Sequence, residues 1–186
     1  MKRILAVCIL VSLILAGCAQ SQSRIDRCMA LRAKLLRCGC QFTAEVTADY
    51  GDKLHTFTLA CAADAQGNLT FSVIQPESIA GISGTITGEG GFLTFEDAVL
   101  QFDLLADDTV TPVSAPWILI RTLRGGYLTA AGEEGDLLRV TIDDSYEEDA
   151  LQLDIWLNDG DAPVRGDILY DGRRILSLVI RDFAFV

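Results

Sequence analysis

The sequence predicts an α+β protein that is mainly β, built on a long curved antiparallel sheet that one or two helices cover. The first observation is a change of hydrophobic period from 3.6 to 2 at residue 40, where helix should give way to strand. The second is a series of alternating stretches separated by turn residues, such as Asp171-Gly172. The third is that only residues 24–37 and 117–124 carry helix signals. A single sheet must cover its apolar face by curling or with helices, so these two stretches are the expected cover.

Residues 24–37 predict an amphipathic helix that ends at Gly39. At 100° per residue one arc of this helix is apolar, and it holds Ile25, Cys28, Met29, Leu31, Leu35 and Leu36. Residues 24–38 also carry five Lys or Arg against a single Asp. Two interpretations follow: the arc packs on the sheet, which we favour, or the helix lies on an anionic membrane surface.

The first predicted hairpin joins the alternating residues 42–46 and 57–61 through the turn at 49–52. A centre between Tyr50 and Gly51 places all the apolar residues on one face. The resulting pairs are Cys40 with Cys61, Phe42 with Leu59, and Ala44 with Phe57. A third strand covers residues 69–73 and closes at Pro76, and residues 79–91 form short strands and turns. Residues 92–105 are expected to continue as strand.

The second half repeats this pattern after a break at Asp107 to Pro116. Residues 117–124 fit a short helix or a strand equally well. Residues 138–142 and 151–157 are strands, and 164–170 pairs with 173–185 as a hairpin. That hairpin is expected to place Ile168 opposite Ile175 and Val164 opposite Val179. The last strand is apolar on both faces, which predicts a position deep in the sheet or beside a cavity.

The first eighteen residues have a basic start, a short apolar run and small residues before Cys18, the pattern of a secretory signal. The segment Leu15-Ala16-Gly17-Cys18 resembles the lipobox of bacterial lipoproteins, in which the cysteine is lipidated and becomes residue one. The alternatives are an ordinary signal peptide or an N-terminal anchor with Cys18 incidental. The resemblance implies a signal peptide over 1–17, a lipidated Cys18 with its tether over 18–23, and one extracytoplasmic domain over 24–186. An acyl anchor would hold that domain at the cell membrane.

The charge of the domain excludes nucleic acid as a partner. Residues 39–186 carry eight Lys or Arg against twenty-five Asp or Glu. A surface with this excess of carboxylates repels phosphates, whose neutralisation supports nucleic-acid binding.

Few residues suggest chemistry, so we expect no enzyme, no cofactor and no metal. His55 is the single histidine, expected opposite Val46 near a turn, and we interpret it as an ordinary strand residue rather than part of a triad. The glycines at 88–91 lack the context of a phosphate loop. An acidic group could bind calcium, but it lacks the spacing of a calcium loop and is more typical of a solvated turn; it comprises Asp143, Asp144, Glu147, Glu148 and Asp149.

The domain retains four cysteines, an even number that in an exported protein suggests disulfides. Cys40 and Cys61 face each other in the predicted hairpin and are the best candidate pair. The alternatives are a zinc site that uses all four thiolates, including Cys28 and Cys38, and thiols that stay reduced. The Cys38-Gly39-Cys40 spacing is unlike the usual zinc pairs.

The order of lipobox, helix, meandering sheet, helical insertion and final hairpin resembles the LolA/LolB-like lipoprotein carriers. The stretches 71–82 and 93–97 and the ending Ile175-Leu176-Ser177 resemble, more narrowly, the spore-germination lipoproteins of anaerobic spore-formers. The resemblance implies an unclosed half-barrel and no catalytic residues. It implies either a scaffold for a partner protein, such as a cell-wall-modifying enzyme, or a carrier for a lipid or another hydrophobic ligand.

In both cases alternate strand residues form the hydrophobic face, and the candidates are Phe42, Phe57, Leu59, Phe71, Leu153 and Ile155. Few large aromatic residues and two helices that must pack on the sheet favour a filled interior without a large cavity.

We predict that Cys18→Ala leaves the protein unprocessed or releases it from the membrane, because the acylated thiol is the anchor. Membrane fractionation with intact-mass measurement checks this result. Cys8→Ala is the matched control, since Cys8 lies within the apolar run and its loss should leave lipidation intact. Normal cleavage with unchanged membrane association of Cys18→Ala would contradict the lipoprotein interpretation.

Overall fold

The computed structural model describes residues 22–49, 51, 53–95, 98–102, 105–106, 109–147 and 150–186. The described part of helix α1 covers residues 22–35, and helix α2 spans Ala115–Gly125. The strands are β1 Cys40–Asp49, β2 Leu54–Ala63, β3 Leu69–Gln75, β4 Ser83–Thr87, β5 Gly90–Phe95, β6 Ala98–Phe102, β7 Leu105–Ala106, β8 Thr109–Val110, β9 Tyr127–Glu134, β10 Leu137–Asp143, β11 Gln152–Leu157, β12 Pro163–Tyr170 and β13 Arg173–Phe185.

Eleven of these strands form one antiparallel sheet in the order β6-β5-β4-β3-β2-β1-β13-β12-β11-β10-β9, and β7 and β8 pair separately. The chain builds outward from β1 to β6, crosses over through α2, and then builds inward from β9 to β13. The first and last strands therefore meet at the centre, and β6 and β9 are the two free edges. This mainly β, unclosed sheet with two helices confirms the predicted fold class.

The sheet curls around α2. This helix contacts β2, β10 and β13, although β2 and β10 are five strand positions apart in the sheet. On a flat sheet five positions would separate the strands by about 24 Å, more than a helix can bridge. The inner, concave face is thus the one that carries the helices, and the opposite face is the outer face.

Helix α2 fills the concave face. It is apolar around most of its circumference, as a helix enclosed by a sheet must be, and its buried side chains are Ala115, Pro116, Trp117, Ile118, Leu119, Ile120, Thr122 and Leu123. Pro116 in its first turn, where no intrahelical N–H bond is lost, favours the helix over the strand that the sequence left open. Helix α1 adds the buried Cys28, Leu31 and Leu35 to the same core, whereas Met29 and Leu36 of its predicted apolar arc are exposed.

Two arginines join the helices, because each helix contributes one arginine that donates hydrogen bonds to carbonyl groups at the C-terminal end of the other helix. Arg32 of α1 donates from Nε to the Leu123 carbonyl and from Nη2 to the Gly126 carbonyl, both at 2.7 Å. Arg124 of α2 donates to the carbonyl of Leu35, the last residue of α1. The final carbonyls of a helix lack intrahelical hydrogen-bond donors and carry partial negative charge. Each guanidinium supplies the missing donors and also a positive charge that stabilises this end of the helix.

The first hairpin has the predicted faces but a register that differs from the prediction by two residues. Cys40 pairs with Ala63, and Cys61 pairs with Phe42. The connection covers residues 50–53, which moves its centre to between Gly51 and Asp52, one residue beyond the expected centre. A shift of two keeps every side chain on its face, which is why the alternation alone did not reveal it.

The predicted register of the last hairpin was wrong by one residue, because a β-bulge interrupts the pairing of β12 with β13. Ile168 pairs with Leu176 rather than Ile175, and the register shifts between Ile168 and Leu169. Val179 pairs with Arg165 instead of Val164 and is 42% exposed, so β13 is central but is not buried on both faces. A bulge adds one unpaired residue, which an alternating pattern does not predict.

Residues 92–105 are not one strand. Strand β5 ends at Phe95, and β6 pairs back against it in antiparallel register, with Leu93 opposite Leu100. This extra hairpin makes β6 an edge of the sheet, which the sequence did not predict.

We predict that Leu119→Ala lowers the free energy of unfolding by about 2–5 kcal/mol, because this side chain is fully buried between α2 and the sheet. Urea denaturation measures the change. Leu54→Ala, at a position 69% exposed in β2, is the control and should change stability by less than about 0.5 kcal/mol. Equal effects of the two substitutions would show that α2 does not pack in the concave face.

Candidate functional site

The structure brings the predicted hydrophobic-face residues together on the inner face, but beneath the helices. Phe42, Leu59, Phe71, Leu153 and Ile155 are all buried in one cluster with α1 and α2, and Phe57 packs half-buried at its margin. These side chains therefore form core. They do not line either of two pockets on the surface of the described residues.

Both pockets are open grooves. One, of about 530 Å³, lies beside the outer face of β2 to β4 and is lined by small residues such as Ala62, Thr70 and Thr85. The other, of about 360 Å³, lies where α2 meets the turns between β2 and β3 and between β4 and β5. In this second groove Arg121 lies over the Trp117 ring, 5.2 Å from its centroid.

The outer face of β10 to β13 carries a buried polar network centred on Trp156. The guanidinium carbons of Arg139 and Arg165 lie 5.3 and 4.1 Å from the centroid of its ring. Asp154 and Asp167, paired across β11 and β12, are each 5% exposed. Such nearly buried carboxylates need charged partners.

Each carboxylate has those partners. Asp154 accepts hydrogen bonds from Arg139 at 2.6 Å and from Thr141 at 2.7 Å. Asp167 accepts one from Arg165 at 2.7 Å and one from Arg174 at 3.5 Å. The hydrogen bond to Asp154 raises the pKa of the Arg139 guanidinium. The Oδ1 atom of Asp167 and the Nε1 atom of Trp156 are buried without a hydrogen-bond partner, so neither atom is accessible to a ligand in this conformation.

Sequence reasoning missed this network. Asp154 and Trp156 alternate with the apolar residues of the strand predicted over 151–157, and that alternation does not connect the two side chains to a network. The signal lies in the pairing of β10 with β11, which puts Arg139 opposite Trp156 and Thr141 opposite Asp154. Arg165 and Asp167 arrive from β12, so the network requires three strands in register. The network neutralises the buried charge of Asp154 and Asp167.

The basic residues of α1 are directed to the protein rather than to a membrane surface. Arg27 forms an ion pair with Asp161 at 2.6 Å, and Arg24 forms one with Glu133 at 3.1 Å. Arg32 caps α2, as described above. Most of the cationic side chains that would contact a lipid surface are therefore engaged within the protein, which argues against the interpretation that this helix lies on a membrane. Within the described part of the chain, no helix is long and apolar enough to cross a bilayer.

The cysteines are free thiols in the structure. Cys40 and Cys61 are diagonal neighbours on the inner face rather than opposite each other, because of the corrected register. Diagonal Cβ atoms lie about 7 Å apart, against about 4 Å in a disulfide. The bridge between them stays a prediction for the oxidised protein. Burial raises the pKa of the Cys40 thiol to about 11, and burial also raises the pKa values of Cys61 and Cys28.

The remaining candidates do not form a site. His55 lies exposed on β2 opposite Ala48, not Val46. No three His, Cys, Asp or Glu residues are grouped for a metal among residues that the structure describes. Cys18 and the signal segment, together with Glu148 and Asp149 of the acidic group, lie outside the described residues.

Comparisons with known proteins yield loose similarities. No protein-family model and no curated protein matches the chain. An uncharacterised conserved protein from Thermus thermophilus is 14% identical, with a TM-score of 0.49 and coverage of 90% of this chain and 88% of that one.

A putative outer membrane lipoprotein-sorting protein domain from Vibrio parahaemolyticus is 9% identical over 89% of this chain and 93% of its own, with a TM-score of 0.45. A LolA superfamily protein from Nitrosomonas europaea is 10% identical over 89% and 93%, with a TM-score of 0.44. At these levels the function has to be inferred from this chain's own residues.

We predict that iodoacetamide labels Cys38 in the reduced folded protein well before the other three thiols of the domain. Cys38 is exposed, whereas Cys28, Cys40 and Cys61 are buried with raised pKa values, and alkylation requires the thiolate. Peptide mapping by mass spectrometry, with a sample in urea as the control for full reactivity, measures the order. Equal labelling rates in the folded protein would contradict the packing of β1 and β2. Mapping of a non-reduced, oxidised sample tests the bridge between Cys40 and Cys61.

Proposed function

We propose that this chain is a membrane-tethered extracytoplasmic lipoprotein that acts as a non-catalytic scaffold for a partner protein. The observation that carries the proposal is the filling of the concave face by α2. A half-barrel carries a ligand in the space that its curved sheet encloses, and in this chain side chains occupy that space.

The packing supports the proposal. Leu119, Ile120 and Leu123 of α2 are at most 1% exposed, and Leu119 approaches β12 so closely that a Cβ on Gly166 would lie 3.3 Å from its Cδ1 atom. Binding sites for small hydrophobic ligands are largely pre-formed apolar cavities of about 300–1,000 Å³. The two grooves described above are open and are lined largely by small, polar or cationic residues. A bound lipid would first have to displace α2.

The tether constrains where the scaffold acts. Residue 22, the first residue of α1 that the structure describes, is four residues beyond Cys18. Four residues span at most about 14 Å, so a lipid on Cys18 holds the domain close to the membrane surface. A partner recruited by the scaffold would then work next to the membrane, as expected for an enzyme that acts on the cell wall.

A carrier of a lipid or another hydrophobic ligand is the second candidate, and one observation favours it. The apolar inner face continues past α2 onto β5 and β6, where Phe95 is 48% exposed and Leu100 is 64% exposed. A ligand could rest against this uncovered stretch of the inner face, although nothing encloses it on the other side.

We predict that residues 19–186, without the acyl anchor, show no saturable uptake of a fluorescent fatty acid or a dansyl phospholipid. The side chains of α2 are packed in the concave face where such a probe would have to enter. Fluorescence titration with a serum albumin control for probe activity measures this. Stoichiometric binding that Phe57→Asp or Leu100→Asp abolishes, in variants whose circular dichroism is unchanged, would replace the scaffold with the carrier. Both positions are only partly buried or exposed, so the substitutions should not unfold the domain.

A further inference from the structure

We propose that the edge strand β6 is the docking site for the partner, and that an extended segment of the partner adds to the sheet as a twelfth strand. The segment would alternate apolar and polar residues and carry Lys or Arg at its flanks. The inference rests on the proposed scaffold function and specifies the surface that performs it.

The backbone of β6 is available on one side. In the described part of the chain, β6 pairs with β5 only, from Ala98 opposite Phe95 to Phe102 opposite Gly91. The outer side of an edge strand presents a row of unpaired N–H and C=O groups, which is the template for addition of another strand.

Exposed apolar side chains lie along this edge on both faces of the sheet, with Gln101 as the polar residue of β6. Val99 on the outer face is 68% exposed, and Leu100 on the inner face is 64% exposed. Next to them on β5, Phe92 is 44% exposed on the outer face and Phe95 is 48% exposed on the inner face. An added strand would bury these side chains from both faces, while its backbone would complete the ladder.

The opposite edge of the same sheet provides an internal comparison. Strand β9 ends in Glu133 and Glu134, and these carboxylates pair with Arg24 and Arg139. The pairing of β9 with β10 also contains a register shift near Thr141. Charges and bulges are the devices with which proteins prevent edge-to-edge association. The Ala-Val-Leu-Gln-Phe sequence of β6 has neither charge nor proline.

The charge of the sequence on either side of β6 indicates which charge the partner should carry. Residues 54–120, which include β2 to β8, contain eight Asp or Glu and no Lys or Arg. A partner strand with basic flanks gains Coulomb attraction at this edge, since opposite charges near a strand end favour pairing. A second copy of this chain would instead bring two cation-free, acidic segments together. Charge therefore favours a different protein over self-association.

The experiment is selection from a random twelve-residue peptide display library on the processed full-length protein in detergent micelles. We expect the selected peptides to alternate apolar and polar residues and to be rich in Lys or Arg. Val99→Lys and Leu100→Lys should each weaken binding of a synthetic selected peptide roughly tenfold or more, because Lys on an edge strand blocks addition. Ala130→Lys, the same change at an exposed position of β9, is the matched control and should bind normally.

Hydrogen exchange locates the bound peptide. Amide protons of residues 98–101 should gain protection when the peptide binds, and those of β9 should not. Peptides that bind equally to all three Lys variants, a library that yields no binders, or selected peptides without alternation and basic residues would overturn the proposal. So would a dimer in sedimentation analysis that Val99→Lys dissociates, since it would assign the edge to a second copy.

These outcomes are separate from failure of the scaffold function. Uptake of the fluorescent lipid into the domain would refute the scaffold, whatever the peptides do. Absence of both lipid uptake and peptide binding at β6 would leave the scaffold in place and refute only the assignment of its docking edge.

Discussion

The structure depends on how one open sheet covers its apolar face. Eleven strands present alternate apolar side chains to one side, and an unclosed sheet cannot bury them against itself. Helix α2 solves this by entering the concavity with eight of its eleven residues buried. Burial of a Leu or Ile side chain contributes about 1.5–3 kcal/mol, so a helix with Ile118, Leu119, Ile120 and Leu123 buried is held firmly. The curvature of the sheet follows from the helix that it surrounds.

The arginines of the chain are largely committed to this architecture. Arg32 and Arg124 join the two helices through their terminal carbonyls, and Arg139 and Arg165 enclose Trp156 on the outer face. Ion pairs join α1 to other parts of the protein and link the strands β9 to β13. The stretch from β2 to β6 is different, because its sequence contains Asp and Glu but no Lys or Arg and it ends in an apolar edge. A binding function located at that edge uses the least protected part of the fold and leaves its core undisturbed.

The faces of most strands and helix α1 were predictable, because a period of two and a period of 3.6 are properties of the chain itself, whereas the sequence left residues 117–124 open between helix and strand. The strand registers were not predictable, since they depend on turn length and on bulges. One extra residue beside Leu169 shifted the register of the last hairpin, and a turn centred after Gly51 shifted the register of the first. The Trp156 network needs three strands to assemble. The β6 edge was missed because residues 92–105 look like one continuous apolar strand, and only pairing shows that the chain reverses after Phe95.

Native-state hydrogen exchange of the α2 amides tests the central claim most directly, because it distinguishes a helix that fills the core from a lid that opens for a ligand. If α2 is part of the core, its amides exchange only through global unfolding, with the same free energy as those of the central strands β1 and β13. Addition of phospholipid leaves that free energy unchanged. Exchange of the α2 amides through an opening several kcal/mol below global unfolding, suppressed by phospholipid, would contradict the account and identify the concave face as a carrier site.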